Sequence, residues 1–366
     1  MTLSATQIQA IVDATKTPTP EQVRVVEAPR RPLLVVAGAG SGKTETMSMR
    51  VLWLLANHPD VTPASILGLT FTRKAAGELG DRLRERIRLL SRELPQLSER
   101  LDEDPVTLTY NSFAERIVSE HGMRIGIDPD FSMLSEAGAL DLMTQIVEAW
   151  PTDLDEELRP IDAVPQVLHL AGELAEHGFT VERAREALEE LGRELSQVGD
   201  TNVEARNLLR ANRRRLAFLG PIATYQQRKR EMGVLDFSDQ LVLATRIVRE
   251  APSVRAALRD EFRAVLLDEF QDTSVIQMEL LSTLFGDHAV TAVGDPNQAI
   301  YGWRGASASS LETFLDRFQS GAPEAGQTLT LSTAWRNDVS ILDAANRVAA
   351  PLREVASYQA GKDALK

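Results

Sequence analysis

Ala37-Gly38-Ala39-Gly40-Ser41-Gly42-Lys43-Thr44 follows the apolar run Leu33–Ala37 and opens a helical pattern that continues to Asn57. Strand, glycine-rich loop and helix in that order make a phosphate-binding loop. Ala37 takes the place of the usual first glycine. The anion nest survives the change, because it is built from the backbone N–H groups of Gly40 to Thr44 and the positive end of the following helix. Lys43 can reach the β- and γ-phosphates of a nucleotide, and the Thr44 hydroxyl can bind Mg²⁺.

Such a loop needs acidic partners. Val265-Leu266-Leu267-Asp268-Glu269 supplies them as an apolar strand that ends in two carboxylates. Asp268 would stand beside the metal, and Glu269 would orient the attacking water. Further strand signals occur at 65–71, 106–110 and 289–294, with helical patterns at 74–92, 112–120 and 274–285. Strands alternating with helices predict an α/β fold with a parallel sheet covered on both faces. From about residue 133 to 260 the pattern is almost wholly helical, with loops near Pro151, Pro160, Gly178 and Gly199. That stretch reads as an insertion between two strands of the sheet. Gly321–Gly326 reads as a linker, and a strand over 328–333 reads as the start of another sheet.

The 366 residues contain no cysteine, which excludes disulfide frameworks, thiolate zinc sites, Fe–S clusters and cysteine nucleophiles. The polar start lacks an apolar signal core, and no apolar run approaches the ~18 residues of a membrane span. A soluble, cytoplasmic protein with no membrane partner is expected. The net charge of −13 is unevenly spread. Residues 102–204 hold 24 acidic and 6 basic side chains, a balance of −18, so the remainder carries −13 + 18 = +5. Residues 206–230 contain seven arginines and Lys229 without an acid. An acidic module thus accompanies segments able to face a phosphate backbone.

The runs 268–273 (DEFQDT) and 293–306 (VGDPNQAIYGWRGA) closely resemble motifs II and III of UvrD/Rep-like superfamily 1 DNA helicases. Residues 69–76 (LTFTRKAA) resemble motif Ia, Pro20-Glu21-Gln22 the Q motif, and 331–337 (LSTAWRN) motif IV. The resemblance implies a RecA-like P-loop domain (1A, residues 1–115 and 236–305), an inserted helical domain (1B, 116–235), and the beginning of a second RecA-like lobe (2A, 306–366). ATP and Mg²⁺ are the implied cofactors. Single-stranded DNA, or DNA with 3′ single-stranded tails, is the implied partner, along with repair proteins. By resemblance Gln22 recognises adenine, Gln298 senses the γ-phosphate, Arg336 is an arginine finger and Trp335 stacks on the base. Phe71, Tyr301 and Trp303 would line the single-strand path, with Thr72, Lys74, Asn111 and Arg304 beside them.

Some positions depart from the pattern. Glu45 stands where relatives commonly carry an arginine, Trp335 replaces a tyrosine, and Asn111 replaces a histidine. Motifs V and VI, expected after motif IV, are not in the 366 residues, so a fragment or truncated reading frame is expected. The leading reading is the N-terminal half of an ATP-dependent 3′-to-5′ DNA translocase. A RecB-like helicase–nuclease motor and a nucleotide- and DNA-binding remnant without unwinding activity are the alternatives.

Overall fold

A computed structural model describes residues 2–128, 130–155, 158–197, 203–300, 310–319 and 326–354. Its strands, in chain order, are β1 Leu33–Ala37, β2 Ile66–Thr70, β3 Val106–Thr109, β4 Ser132–Met133, β5 Val234–Leu235, β6 Ala264–Leu267, β7 Val290–Gly294 and β8 Gln327–Leu331. Six of them form one sheet in the order β3-β2-β6-β7-β1-β8, every pair parallel. β1, β2, β6 and β7 are buried along their whole lengths. This is why they read as continuous apolar runs rather than alternating ones.

Leu33, Val35 and Ala37 of β1, Leu266 of β6 and Val293 of β7 join one core with the helices Ala5–Val12, Lys43–Asn57 and Arg73–Glu93. A second packing group is aromatic. Phe113 meets Phe262 edge to face and Phe285 in a stack, while Phe270 meets Phe314 and Phe318 edge to face. Such offset and perpendicular geometries suit the ring quadrupoles.

The chain divides into two compact units, residues 1–113 with 248–366, and 114–247. The second contains the helices Glu136–Glu148, Pro160–Glu176, Val181–Gln197 and Val203–Met232, whose core includes Met143, Val167, Leu219 and Ile222. A Cβ on Gly220 would lie 2.5 Å from the Trp150 ring, so only glycine permits that helix face to approach the indole. Pro160, expected in a loop, is instead the first residue of a helix, where its missing N–H costs nothing. Gly199 lies outside the described residues.

The second unit runs to residue 247, past the expected 235. Lys229, buried on the long helix, bridges Asp236 at 2.5 Å and Asp239 at 2.6 Å and ties the start of helix Phe237–Glu250 to this unit. Of the basic run, Lys229 and Arg214 are thus engaged internally, the latter with Asp155. β8 also differs from expectation. It opens no second sheet but continues the first, pairing Leu33 with Gln327 through Ala37 with Leu331. Its apolar residues match the buried edge beside β1, a partner no local pattern discloses.

Candidate functional site

The loop after β1 turns on two glycines. Gly40 and Gly42 have φ of +76° and +82°, a left-handed backbone that a side chain would strain. Both are also crowded. A Cβ on Gly40 would lie 2.9 Å from Cβ of Arg336, and one on Gly42 would lie 3.1 Å from Nε2 of Gln22. The Gly40 carbonyl accepts the Trp335 N–H at 2.9 Å. Segments more than 300 positions apart in sequence therefore meet on the loop.

A cavity of about 450 Å³ results, lined by Ala39, Gly40, Gly42, Lys43, Thr44 and Glu45 with Arg82, Glu269, Gln298, Trp335 and Arg336. Trp335 is 65% exposed, leaving its indole face open to a planar group. The Gln22 side chain is steadied by a capping box, its Oε1 accepting the Thr19 N–H at 2.9 Å. Buried Ser41 Oγ has no partner among the described residues. Glu45 pairs with Arg86 at 2.5 Å, so the departure at Glu45 is matched by a cation from the helix Arg73–Glu93.

Asp268 and Glu269 leave the C-terminal end of β6. Lys43 Nζ donates to Glu269 Oε2 at 3.1 Å. Gln271 Nε2 donates to the same oxygen at 2.9 Å, and Gln271 Oε1 accepts the Asp295 N–H at 3.0 Å. Asp295 Oδ2 in turn accepts Gln298 Nε2 at 2.7 Å. One hydrogen-bonded chain thus joins the loop lysine to Gln298. Glu269 has φ of +49°, unusual for a residue with a side chain and a form of strain concentrated at functional sites.

Burial, and then the neighbouring Glu269 charge, push the Asp268 carboxyl up to about 6, with Lys43 opposing. The unfolded chain releases this proton near 3.8 and the folded chain near 6. Stability from this group is therefore full below about pH 4, declines as pH rises to about 6, and stays low above it. Asp268→Asn removes that decline and should stabilise the metal-free protein at about pH 7.5 by on the order of 2 kcal/mol. Denaturant unfolding across this range in chelator should show the two proteins converging near pH 4. Parallel stability curves would reject the buried-charge account.

Of the residues assigned to the single-strand path, Phe71 and Thr72 line a second cavity of about 310 Å³ together with Asp268, Glu269, Gln271, Asp272 and Gln298. Phe71 packs on Tyr110 at 4.9 Å between ring centroids. Thr72 caps the helix Arg73–Glu93, its hydroxyl accepting the Ala75 N–H at 3.1 Å. Lys74 is exposed, 3.8 Å from Glu78. Asn111 Oδ1 accepts from Gln277 Nε2 at 3.4 Å and does not line this cavity. Tyr301, Trp303 and Arg304 lie outside the described residues.

Sequence reading missed Arg50 and Arg82. Arg82 sits in a strongly charged helix and reads as a solvated side chain, yet it lines the nucleotide-sized cavity. Arg50 has no signal at all. It lies inside the helix Lys43–Asn57 at 1% exposure, donating to the carbonyls of Val25, Val26, Ala28 and Pro29 and to Thr291 Oγ1. It fastens the segment behind Gln22 to the helix behind the loop.

The sequence profile of the UvrD/REP helicase N-terminal domain matches residues 18–319. DNA helicase II of Escherichia coli (strain K12) is 30% identical over 327 residues, covering 89% of this chain and 39% of the relative. The ATP-dependent DNA helicase PcrA of Leuconostoc citreum is 28% identical over 329 residues, covering 90% and 38%. That of Staphylococcus aureus (strain Mu50 / ATCC 700699) is 29% identical over 331 residues, covering 90% and 39%. The chain thus spans about two fifths of the length of these curated relatives.

Proposed function

The chain belongs to the UvrD/REP helicase N-terminal domain family, and we propose that it is the ATP-binding part of a 3′-to-5′ DNA helicase motor. The motor would couple ATP hydrolysis to movement on single-stranded DNA in repair, in the cytoplasm. The observation that carries this reading is the convergence of the glycine loop, Lys43, Glu269, Gln298 and Arg336 on one cavity.

The donor set suits a magnesium nucleotide. No cluster of three or more His, Cys, Asp or Glu able to hold a metal exists among the described residues. Mg²⁺ usually takes one or two protein oxygens and completes its shell with phosphates and water. Thr44 and Asp268 would hold it, and when bound it neutralises phosphate charge. The chain's own groups do the rest. The loop N–H groups and Lys43 bind the phosphates, and Glu269 orients a water and accepts its proton at a carboxylate oxygen. Arg82 and Arg336 offer cations to the developing negative charge. Gln22 and Trp335 would receive the base, one by hydrogen bonds and the other by stacking. Phe71 offers a ring to a DNA base, a sequence-tolerant contact.

Anisotropy of a labelled single-stranded oligonucleotide, with and without MgATP analogue, tests the reading. Binding should weaken as salt rises, since phosphate contacts release counterions. Lys43→Ala should lower MgATP affinity by about tenfold or more, one charge-assisted phosphate contact being lost. Wild-type nucleotide affinity in this variant, or no oligonucleotide binding at low salt, would overturn the proposal.

A further inference from the structure

We propose that Tyr110 is a positioning residue that links the single-strand face at Phe71 to the carboxylates of the nucleotide site. The link rests on the function proposed above. Tyr110 follows β3 directly and is buried at 3% exposure. Its ring packs against Phe71 with a tilt of 51°, and its hydroxyl donates to the Asp268 carbonyl oxygen at 3.1 Å.

That carbonyl is one end of the peptide joining Asp268 to Glu269. The other end, the Glu269 N–H, donates to Asp268 Oδ1 at 3.1 Å. Two hydrogen bonds therefore set the plane of this single peptide, one received from Tyr110 and one donated to the candidate metal-binding carboxylate. Glu269 leaves it at φ +49°, a conformation that persists only while its surroundings hold it. Releasing the Tyr110 hydroxyl frees the peptide to rotate, and rotation swings the Glu269 side chain away from Lys43.

Phe71, Asp268, Glu269 and Gln298 line one cavity, so the single-strand face and the nucleotide carboxylates open onto a shared space. A DNA base stacked on Phe71 restricts its ring, Phe71 restricts the Tyr110 ring, and the hydroxyl holds the Asp268–Glu269 peptide. The reverse also follows, because coupling between two ligands is reciprocal. A tyrosine that merely satisfied a buried carbonyl would contribute to stability and leave the two ligands independent.

The test uses the 366-residue chain with Mg²⁺, a fluorescent ATP analogue and an oligothymidylate, each titrated with and without the other. In the wild type the oligonucleotide should raise nucleotide affinity by about fivefold or more, the lower range for coupled sites. Tyr110→Phe keeps the ring contact and loses only the hydroxyl. Its coupling should fall toward one, while each ligand alone binds within about twofold of wild type. Phe71→Leu, which keeps the hydroxyl but loses the ring contact, should also lose coupling. Undiminished coupling in Tyr110→Phe overturns the inference, as does a wild type that binds both ligands independently. A wild type that binds neither nucleotide nor oligonucleotide defeats the function proposed above, and this link with it.

Discussion

In the complete motor, Glu269→Gln is expected to lower ATP turnover by about 10²–10⁴-fold, the usual contribution of a positioned general base. Glu269 Oε2 lies 3.1 Å from Lys43 Nζ, at the wall of the cavity where a terminal phosphate would meet the loop. Gln271 holds the same oxygen from the other side, so the carboxylate is aimed rather than merely present. Glutamine has the same shape and can still accept from both donors, but it cannot take a proton. Nucleotide affinity should therefore change by less than about threefold, because the phosphates are held by the loop and Lys43. Equal losses of affinity and turnover would mean that Glu269 binds the nucleotide. Parallel titration and single-turnover assays, both with saturating oligonucleotide, separate the two.

Arg50→Leu is expected to cost about 3–5 kcal/mol of stability, comparable to removing one partner from a buried polar network. This guanidinium donates five hydrogen bonds, four of them to backbone carbonyls of residues 25–29. Leucine would fill part of the volume and leave those carbonyls without donors inside the protein, where each unmet group carries its full desolvation penalty. Burial already pulls the guanidinium down to about 10, so it stays charged at neutral pH despite its surroundings. Arg50→Lys should recover only part of the loss, because an ammonium has three donors and no planar fork. Denaturant unfolding with an unchanged slope would measure both effects. A loss below about 1 kcal/mol in Arg50→Leu would show that the segment 25–29 is held by other contacts. Because this segment begins in the last turn of helix Pro20–Val26, which carries Gln22, base-side nucleotide affinity should fall along with stability.

How much of this was legible beforehand differs between elements for identifiable reasons. The loop from Ala37 to Thr44 is legible because its chemistry is local: glycines for left-handed turns, a lysine at the helix start, and a hydroxyl beside it. The strand ending in Asp268-Glu269 is legible for the same reason, since burial on both faces demands an unbroken apolar run. The helical insertion declares itself by the absence of strand signals over more than a hundred positions.

The remainder depends on which distant segments touch. The sequence alone determined the α/β class, the strand, glycine loop and helix around Lys43, and the apolar strand that ends at Asp268-Glu269. Only the tertiary structure decided that β8 continues the first sheet, that Glu45 is answered by Arg86, and that Asp236 and Asp239 close on Lys229. It alone buried Arg50 as a tie between distant segments and set the Tyr110 hydroxyl against the Asp268 carbonyl. The physical reason is common to all of these. A side chain's own type records its capacity for charge, hydrogen bonds and apolar burial, whereas its partner and its share of water are set by other segments, as near as Asp236 to Lys229 or as far as Gln327 from Leu33.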